Sequence, residues 1–296
     1  MRFGIMTLQQ DTLIPAGEEM QRALARIAAL DHAQIAAHLF DQGFDVLELS
    51  GDLALFVPHT FAPDAIERLN ALRRARGARY TVHLPLWSVE PSTPLEPVRQ
   101  GSVRAVVDMI QRTQPLDPEV YVLHATGPLA AEFDRIGFPE PAGTFLLRQF
   151  QAQARRSLEA ILDETGLDSR RLAIETIEFP LDLTLDLADA LDLSICLDTG
   201  HVLAGFSGPV PFFDAVARCL PRLAEVHLHD APQAAPGERL YGQDHGPLGS
   251  GDLDTVRLLD TLQGAGFDGP IILELTAAEA LASLDVIRTA RPEAGW

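Results

Sequence analysis

The chain has 296 residues, 47% of them hydrophobic, and 23 Lys and Arg stand against 42 Asp and Glu for a formal net charge of −19. That length and apolar share suffice for one large core, whereas a surface this acidic repels phosphate backbones and speaks against nucleic acid as a partner. No run approaches the roughly 20 apolar residues that span a membrane, the N-terminus turns polar too soon for a secretory signal, and Cys196 and Cys219 outline no disulfide framework, so a cytoplasmic protein with no membrane partner is expected.

Short apolar runs alternate with amphipathic stretches along the chain. Residues 3–8 read as a first strand, followed by a polar connection over 9–19 and helical patterns over 20–29 and 32–42. Residues 46–49 form a second strand and 63–76 a helix. The segment 79–83 is a third strand, stopped by Pro85, and 95–112 is helical. Residues 120–124 are a fourth strand, with a long helix over 144–164, and 172–175 a fifth, with a short helix at 182–191. The run 193–197 ends in Asp198 as a sixth strand, then 211–220 is helical. Residues 225–229 and 270–274 are the seventh and eighth strands, each followed by a helix, at 253–265 and 277–288.

Eight strand–helix units in alternation imply an α/β fold with a parallel sheet. Eight of them point to a (β/α)8 TIM barrel, one domain over 1–296, with a metal site at the C-terminal strand ends. Neither GxGxxG nor GxxxxGK[ST] occurs, so a nucleotide fold would lack its phosphate loop. Two connections, 126–143 and 230–251, are long, rich in Gly and Pro, and leave the ends where a barrel carries its chemistry; they read as lids or as plain surface loops.

Polar residues collect at those ends. His83, His124, Glu175, Asp198, His227 and Glu274 come from strands three to eight in order, and His201 and His245 follow strands six and seven. Each alone is an ordinary rim histidine or strand-terminal carboxylate. Together, in a closed barrel, they would repel one another or lie unsatisfied without a cation. A His/Asp/Glu set without thiolate suits Zn²⁺, Mn²⁺, Fe²⁺ or Co²⁺, and the histidine share leans to Zn²⁺.

These motifs resemble those of the xylose-isomerase-like barrels, which include the type-2 apurinic endonucleases. The chain offers His83-Leu-Pro, His124, Ile174-Glu175-Thr176, Asp198-Thr-Gly-His201, His227-Leu-His-Asp230, His245 ahead of Leu248-Gly249, and Leu273-Glu274-Leu275. The resemblance implies two or three metal ions. Glu175 would bridge two of them, His83 and His124 sharing one with it and Asp198, His227 and Glu274 the next, while His201 and His245 would hold a third. One position departs: where the nuclease pattern has Asp, this chain has Gln243, with Asp244 one residue off. His229 and Asp230 read either as partners orienting the ligating imidazoles or as strand-end caps.

Within that superfamily the stretches Leu172-Ala-Ile-Glu-Thr-Ile-Glu-Phe-Pro180, Tyr80-Thr-Val-His-Leu-Pro85 and Asp244-His245 are similar to the cobamide-remodelling phosphodiesterases. That resemblance implies hydrolysis of the nucleotide-loop phosphoester of a vitamin-B12-type corrinoid to an α-riboside and cobinamide phosphate. Glu175 and Glu274 would be the catalytic carboxylates and Trp87 an apolar wall for a base or corrin ring, although packing explains Trp87 equally well. The rival reading is a single-metal sugar or sugar-phosphate isomerase or epimerase that uses Glu175, Asp198, His227 and Glu274 alone. It leaves His83, His124 and His245 without a role, and it lacks the Arg that usually follows the strand-seven His, Arg239 being the nearest.

Overall fold

The computed structural model describes residues 1–7 and 19–291. Eight parallel strands close on themselves in chain order: β1 Arg2–Met6, β2 Val46–Ser50, β3 Arg79–His83, β4 Tyr121–Leu123, β5 Leu172–Glu175, β6 Ser194–Asp198, β7 Leu223–His227 and β8 Pro270–Leu273. Helices ring the outside, as the eightfold alternation requires.

Strand side chains alternate in direction, so each strand feeds two compartments. Leu47, Leu49, Tyr80, Val82, Tyr121, Leu123, Ile195, Leu197, Ile271 and Leu273 join the main apolar core with the helices. The other set fills the barrel. Part of it is small and apolar, with Val122, Ala173 and Cys196 in one cluster. Gly4 of β1 leaves room there: a Cβ on it would stand 2.4 Å from the Val46 carbonyl oxygen and 2.6 Å from Ile272 Cδ1. At the C-terminal tips the inward residues become His83, Glu175, Asp198 and His227. The register aligns the tips, pairing Ser50 with His83 and Asp198 with His227.

The helices start and stop where their chemistry dictates. The helix Pro63–Arg76 has Pro in its first turn and ends at Gly77 with φ 68°, a left-handed position that costs glycine nothing. The closing helix Ala277–Ala290 carries a capping box between Thr276 and Glu279.

Two expectations need correcting. The segment 126–143 is not plain loop, because it contains the helix Pro128–Ile136, bounded by Gly127 and by Gly137 at φ 64°. The fourth and seventh strands stop short of His124 and His229, which lie just beyond their ends. Most of the predicted connection 9–19, and the last residue of the predicted first strand, fall outside the described residues. No helix among those described is long and apolar enough to cross a membrane.

His32, on the helix His32–Asp41, braces the first two strand tips. It is fully buried, its Nε2 lies 2.8 Å from Thr7 Oγ1, and its ring meets Phe61 edge-on at 5.2 Å. Burial lowers its pKa to about 4. The folded chain therefore keeps this imidazole neutral while the unfolded chain protonates it near pH 6.5. Its contribution is complete above pH 6.5 and is lost as the pH falls from there towards 4. Denaturant titrations across that window should show wild type losing about 3 kcal/mol more than His32→Gln; equal losses would contradict this assignment.

Candidate metal centre

The turn after β6 shows how the sequence builds the site. Asp198 caps the short helix Thr199–Leu203, its Oδ1 accepting the His201 backbone N–H at 2.7 Å. One carboxylate oxygen is thereby spent on backbone geometry. The other, Oδ2, accepts from His229 Nε2 at 2.9 Å and lies 3.4 Å from His201 Nδ1. Thr199 locks β6 to β7: its hydroxyl accepts from His229 N at 3.0 Å and lies 2.6 Å from the His229 carbonyl. Gly200 is dictated by crowding. A Cβ there would stand 1.9 Å from the Asp244 carbonyl oxygen and 2.2 Å from His229 Nδ1.

Glu175, 1% exposed, sits at the centre. Its Oε2 accepts from His83 Nε2 at 3.1 Å and His124 Nε2 at 3.0 Å. Its Oε1 lies 3.3 Å from His201 Nδ1. His227 Nδ1 lies 3.5 Å from Glu274, 3.7 Å from Glu175 and 3.9 Å from Asp198, and neither of its ring nitrogens has a hydrogen-bond partner although the residue is fully buried. On the rim, His245 Nδ1 lies 2.7 Å from Asp244 Oδ2 and its Nε2 3.3 Å from Glu274 Oε2, while Asp244 Oδ2 is 3.7 Å from His201 Nε2. The eight residues singled out from the sequence therefore converge on one mouth.

These distances fit metal ions. Around a four-coordinate ion whose ligands lie about 2.1 Å away, neighbouring donor atoms stand about 3.4 Å apart. The spacings about His227 Nδ1 are too long for hydrogen bonds and right for such an edge. Among the described residues, His83, His124 and Glu175 form one compact group, Glu175, Asp198 and His227 a second, and His201, Asp244 and His245 a third. An orphaned, buried imidazole nitrogen facing three carboxylates is the strongest sign that a cation belongs there.

The electrostatics agree. Burial works to raise the Glu175 carboxyl, but the charges of His124 and His227 and hydrogen bonds from His124 and His201 hold it well below the usual range. Glu274 is also lowered: burial opposes this, and His227 and the hydrogen bond from His245 override it. Conversely, burial disfavours protonated imidazoles, yet the carboxylates raise His83 and His201 to about 9 and His245 to about 11. The field is negative enough to keep cations at these nitrogens.

The xylose isomerase-like TIM barrel family matches residues 34–291. The chain belongs to this family. The uncharacterized protein MJ1311 of Methanocaldococcus jannaschii is 25% identical over 252 residues, covering 81% of this chain and 76% of that one. A D-tagatose 3-epimerase-like protein superposes with a TM-score of 0.69 at 20% identity, over 99% of this chain and 97% of that one. Endonuclease IV from Thermus thermophilus does so at 0.63 and 19% identity, over 99% of each chain. The 3-keto-D-glucoside 4-epimerase YcjR from E. coli gives 0.66 at 16% identity, over 98% and 99%. The xylose isomerase-like fold thus supports both sugar epimerisation and endonucleolytic chemistry in similar structures.

Three features of the site differ from the sequence reading or add to it. Asp230 orients no imidazole through its carboxylate hydrogen bonds. These accept the backbone N–H groups of Ala231, Gly249, Gly251 and Leu253, each at 2.9 Å, and its main chain pairs with Gly246. It is the clasp that shapes the 230–251 connection. That shape brings Asp244 to His201 and leaves Gln243 exposed. Two buried carboxylates, Glu48 and Glu225, lie beneath His227 and were missed. A Glu inside an apolar strand was their one sequence signal. The two long connections also meet each other: Arg239 pairs with Asp134, and the Arg135 guanidinium lies 5.6 Å from the centre of the Tyr241 ring.

Gly200→Val should cost about 1–3 kcal/mol through overpacking, read as a lower Tm, and should displace the segment carrying Asp244. An unchanged Tm would show that the two turns are not in register as described.

Proposed function

We propose that this chain is a metal-dependent phosphodiesterase of small molecules, hydrolysing the nucleotide-loop phosphoester of cobamides to an α-riboside and cobinamide phosphate. The observation that carries the proposal is the placement of His83 and His124 on one oxygen of Glu175, at 3.1 and 3.0 Å. A single-metal isomerase has no use for this additional ligand pair, and the group of His201, Asp244 and His245 extends the set further.

The residues for the ions are His83, His124 and Glu175; Glu175, Asp198, His227 and Glu274; and His201, Asp244 and His245. Divalent ions bound there supply Lewis-acid polarisation of a phosphoryl oxygen and make a water acidic enough to lose its proton near neutral pH. Zn²⁺ suits the imidazole-rich donor set best. Glu175 ties imidazoles from three strands into one rigid frame. Glu274, held ionised and lining the cavity, is the acceptor for the proton of the attacking water.

The cavity also speaks to substrate. It has a volume of about 620 Å³ and none of its described lining residues is Lys or Arg. A phosphate monoester dianion, as in a sugar phosphate, would lack side-chain cations; a diester carries only one charge for the metal centre to meet. Trp87 and Leu86 form an apolar wall, and Trp87 meets Phe56 at 6.0 Å, both rings more than half exposed. The phosphoriboside end of a cobamide enters the cavity while the corrin ring rests outside against this aromatic pair.

The second reading, a single-metal sugar isomerase or epimerase, draws on the complete set around His227 Nδ1 and on the epimerases among the similar structures. In it Glu175 and Glu274 would exchange a proton at a sugar carbon. Arg239 gives it no help, being engaged with Asp134 and, at 3.6 Å, with Glu178.

Incubation of the metal-loaded protein with a cobamide should release the α-riboside, followed chromatographically, and Glu175→Gln should lower the rate by at least about 1,000-fold with the fold intact. Absence of release from folded, metal-bound wild type ends the cobamide reading. Asp244→Ala should weaken the outermost ion by about 10- to 100-fold, whereas Gln243→Ala should leave it unchanged; the reverse pattern would return the ligand role to position 243.

A further inference from the structure

The deepest ionisable groups of the barrel take no part in the chemistry above. Glu48 of β2 and Glu225 of β7 are both fully buried, and they lie directly beneath His227. His227 Nε2 faces Glu48 Oε2 at 3.4 Å and Glu225 Oε1 at 3.9 Å. Thr81 of β3 donates to Glu225 Oε1 at 3.1 Å across the barrel. Both Glu48 oxygens, Glu225 Oε2 and both His227 nitrogens otherwise lack hydrogen-bond partners.

Sealed, unpaired polar atoms are costly, more so when charged. The groups within reach of His227 Nε2 are Glu48 and Glu225. A carboxylate can only accept, so the ring nitrogen facing Glu48 must carry the proton. That leaves Nδ1, on the side of Glu175, Asp198 and Glu274, as the lone-pair nitrogen. The register of β7 makes this possible. The β6–β7 pairing shifts between Ile195 and Cys196, setting Cys196 opposite Glu225 and Asp198 opposite His227, so that Glu225 and His227 both point inward.

We propose that Glu48, backed by Glu225, is the positioning residue of the metal centre: it accepts the Nε2 proton of His227 and so fixes Nδ1 as a metal ligand. The inference rests on the metal-centre reading and is separable from the choice of phosphodiesterase. Glu225 stands 3.9 Å from the same nitrogen and is itself held by the Thr81 hydroxyl, so it backs Glu48 from the other side of the barrel. The arrangement extends the carboxylate–histidine–metal pattern, in which a buried acid sets the tautomer and raises the basicity of the ligating ring.

The test is metal affinity, measured by chelator competition with Zn²⁺ and with Co²⁺ as a spectroscopic stand-in. Glu48→Gln keeps the side-chain shape and removes the charge; it should weaken one ion of the set about tenfold. Glu48→Leu should weaken the same ion about 100-fold, and both should leave the affinity of the His201–Asp244–His245 group unchanged. A general loss of stability would lower all affinities together, which would overturn the proposal. So would a folded Glu48→Gln that binds every ion as wild type does, and this isosteric variant decides the matter if Glu48→Leu fails to fold. Wild type that binds no ion would overturn the metal centre itself, a result distinguishable from failure of the Glu48 proposal alone.

Discussion

A carboxylate that water scarcely reaches organises the mouth of this barrel. An ionised side chain as buried as Glu175 would cost several kcal/mol if left unpaired. Its oxygens are instead approached by His83 of β3, His124 just beyond β4, His201 on the short helix after β6 and His227 of β7. This one constraint explains why those histidines crowd at strand ends. It also explains why the pKa values of His83 and His201 rise despite burial. The closed sheet delivers the groups. The carboxylate makes their convergence tolerable.

Much of this is legible in the sequence because strand periodicity and strand-end chemistry are local. The run from Leu193 to Leu197 ending in Asp198, and the sequence Asp-Thr-Gly-His after it, carry their own geometry: the cap on His201 N and the tight turn at Gly200 need only adjacent residues. The pairing of Glu48 with Glu225 is not local. It exists because the barrel closes and because the β6–β7 register shifts by one residue, so no inspection of either strand reveals it. The choice between Gln243 and Asp244 was equally hidden. That Asp244 lies beside His201 and Gln243 is exposed follows from the four backbone N–H groups gathered by Asp230, which fix the path of a connection whose own composition permits many paths. The helix Pro128–Ile136 escaped notice because Gly and Pro at its borders also describe a loop.

The family frame narrows the chemistry without choosing it. Epimerases and endonuclease IV share this scaffold, and Glu175, Asp198, His227 and Glu274 meet at its mouth here. What tilts the balance is what surrounds them here. His83 and His124 add two imidazoles on one oxygen of Glu175. Among its described lining residues the cavity offers no lysine or arginine to a phosphate. An exposed aromatic pair stands at its entrance, and an acidic surface disfavours a duplex. The proposed substrate, a small phosphodiester with a large apolar appendage, meets all four conditions.

The central claim is that Glu175 joins more than one ion. Metal analysis of the purified, metal-supplemented chain, with ions counted per polypeptide, tests it most directly. The account predicts two or three, falling by one in His83→Ala. A single ion per chain, unchanged in that variant, would contradict it and return the site to isomerase chemistry.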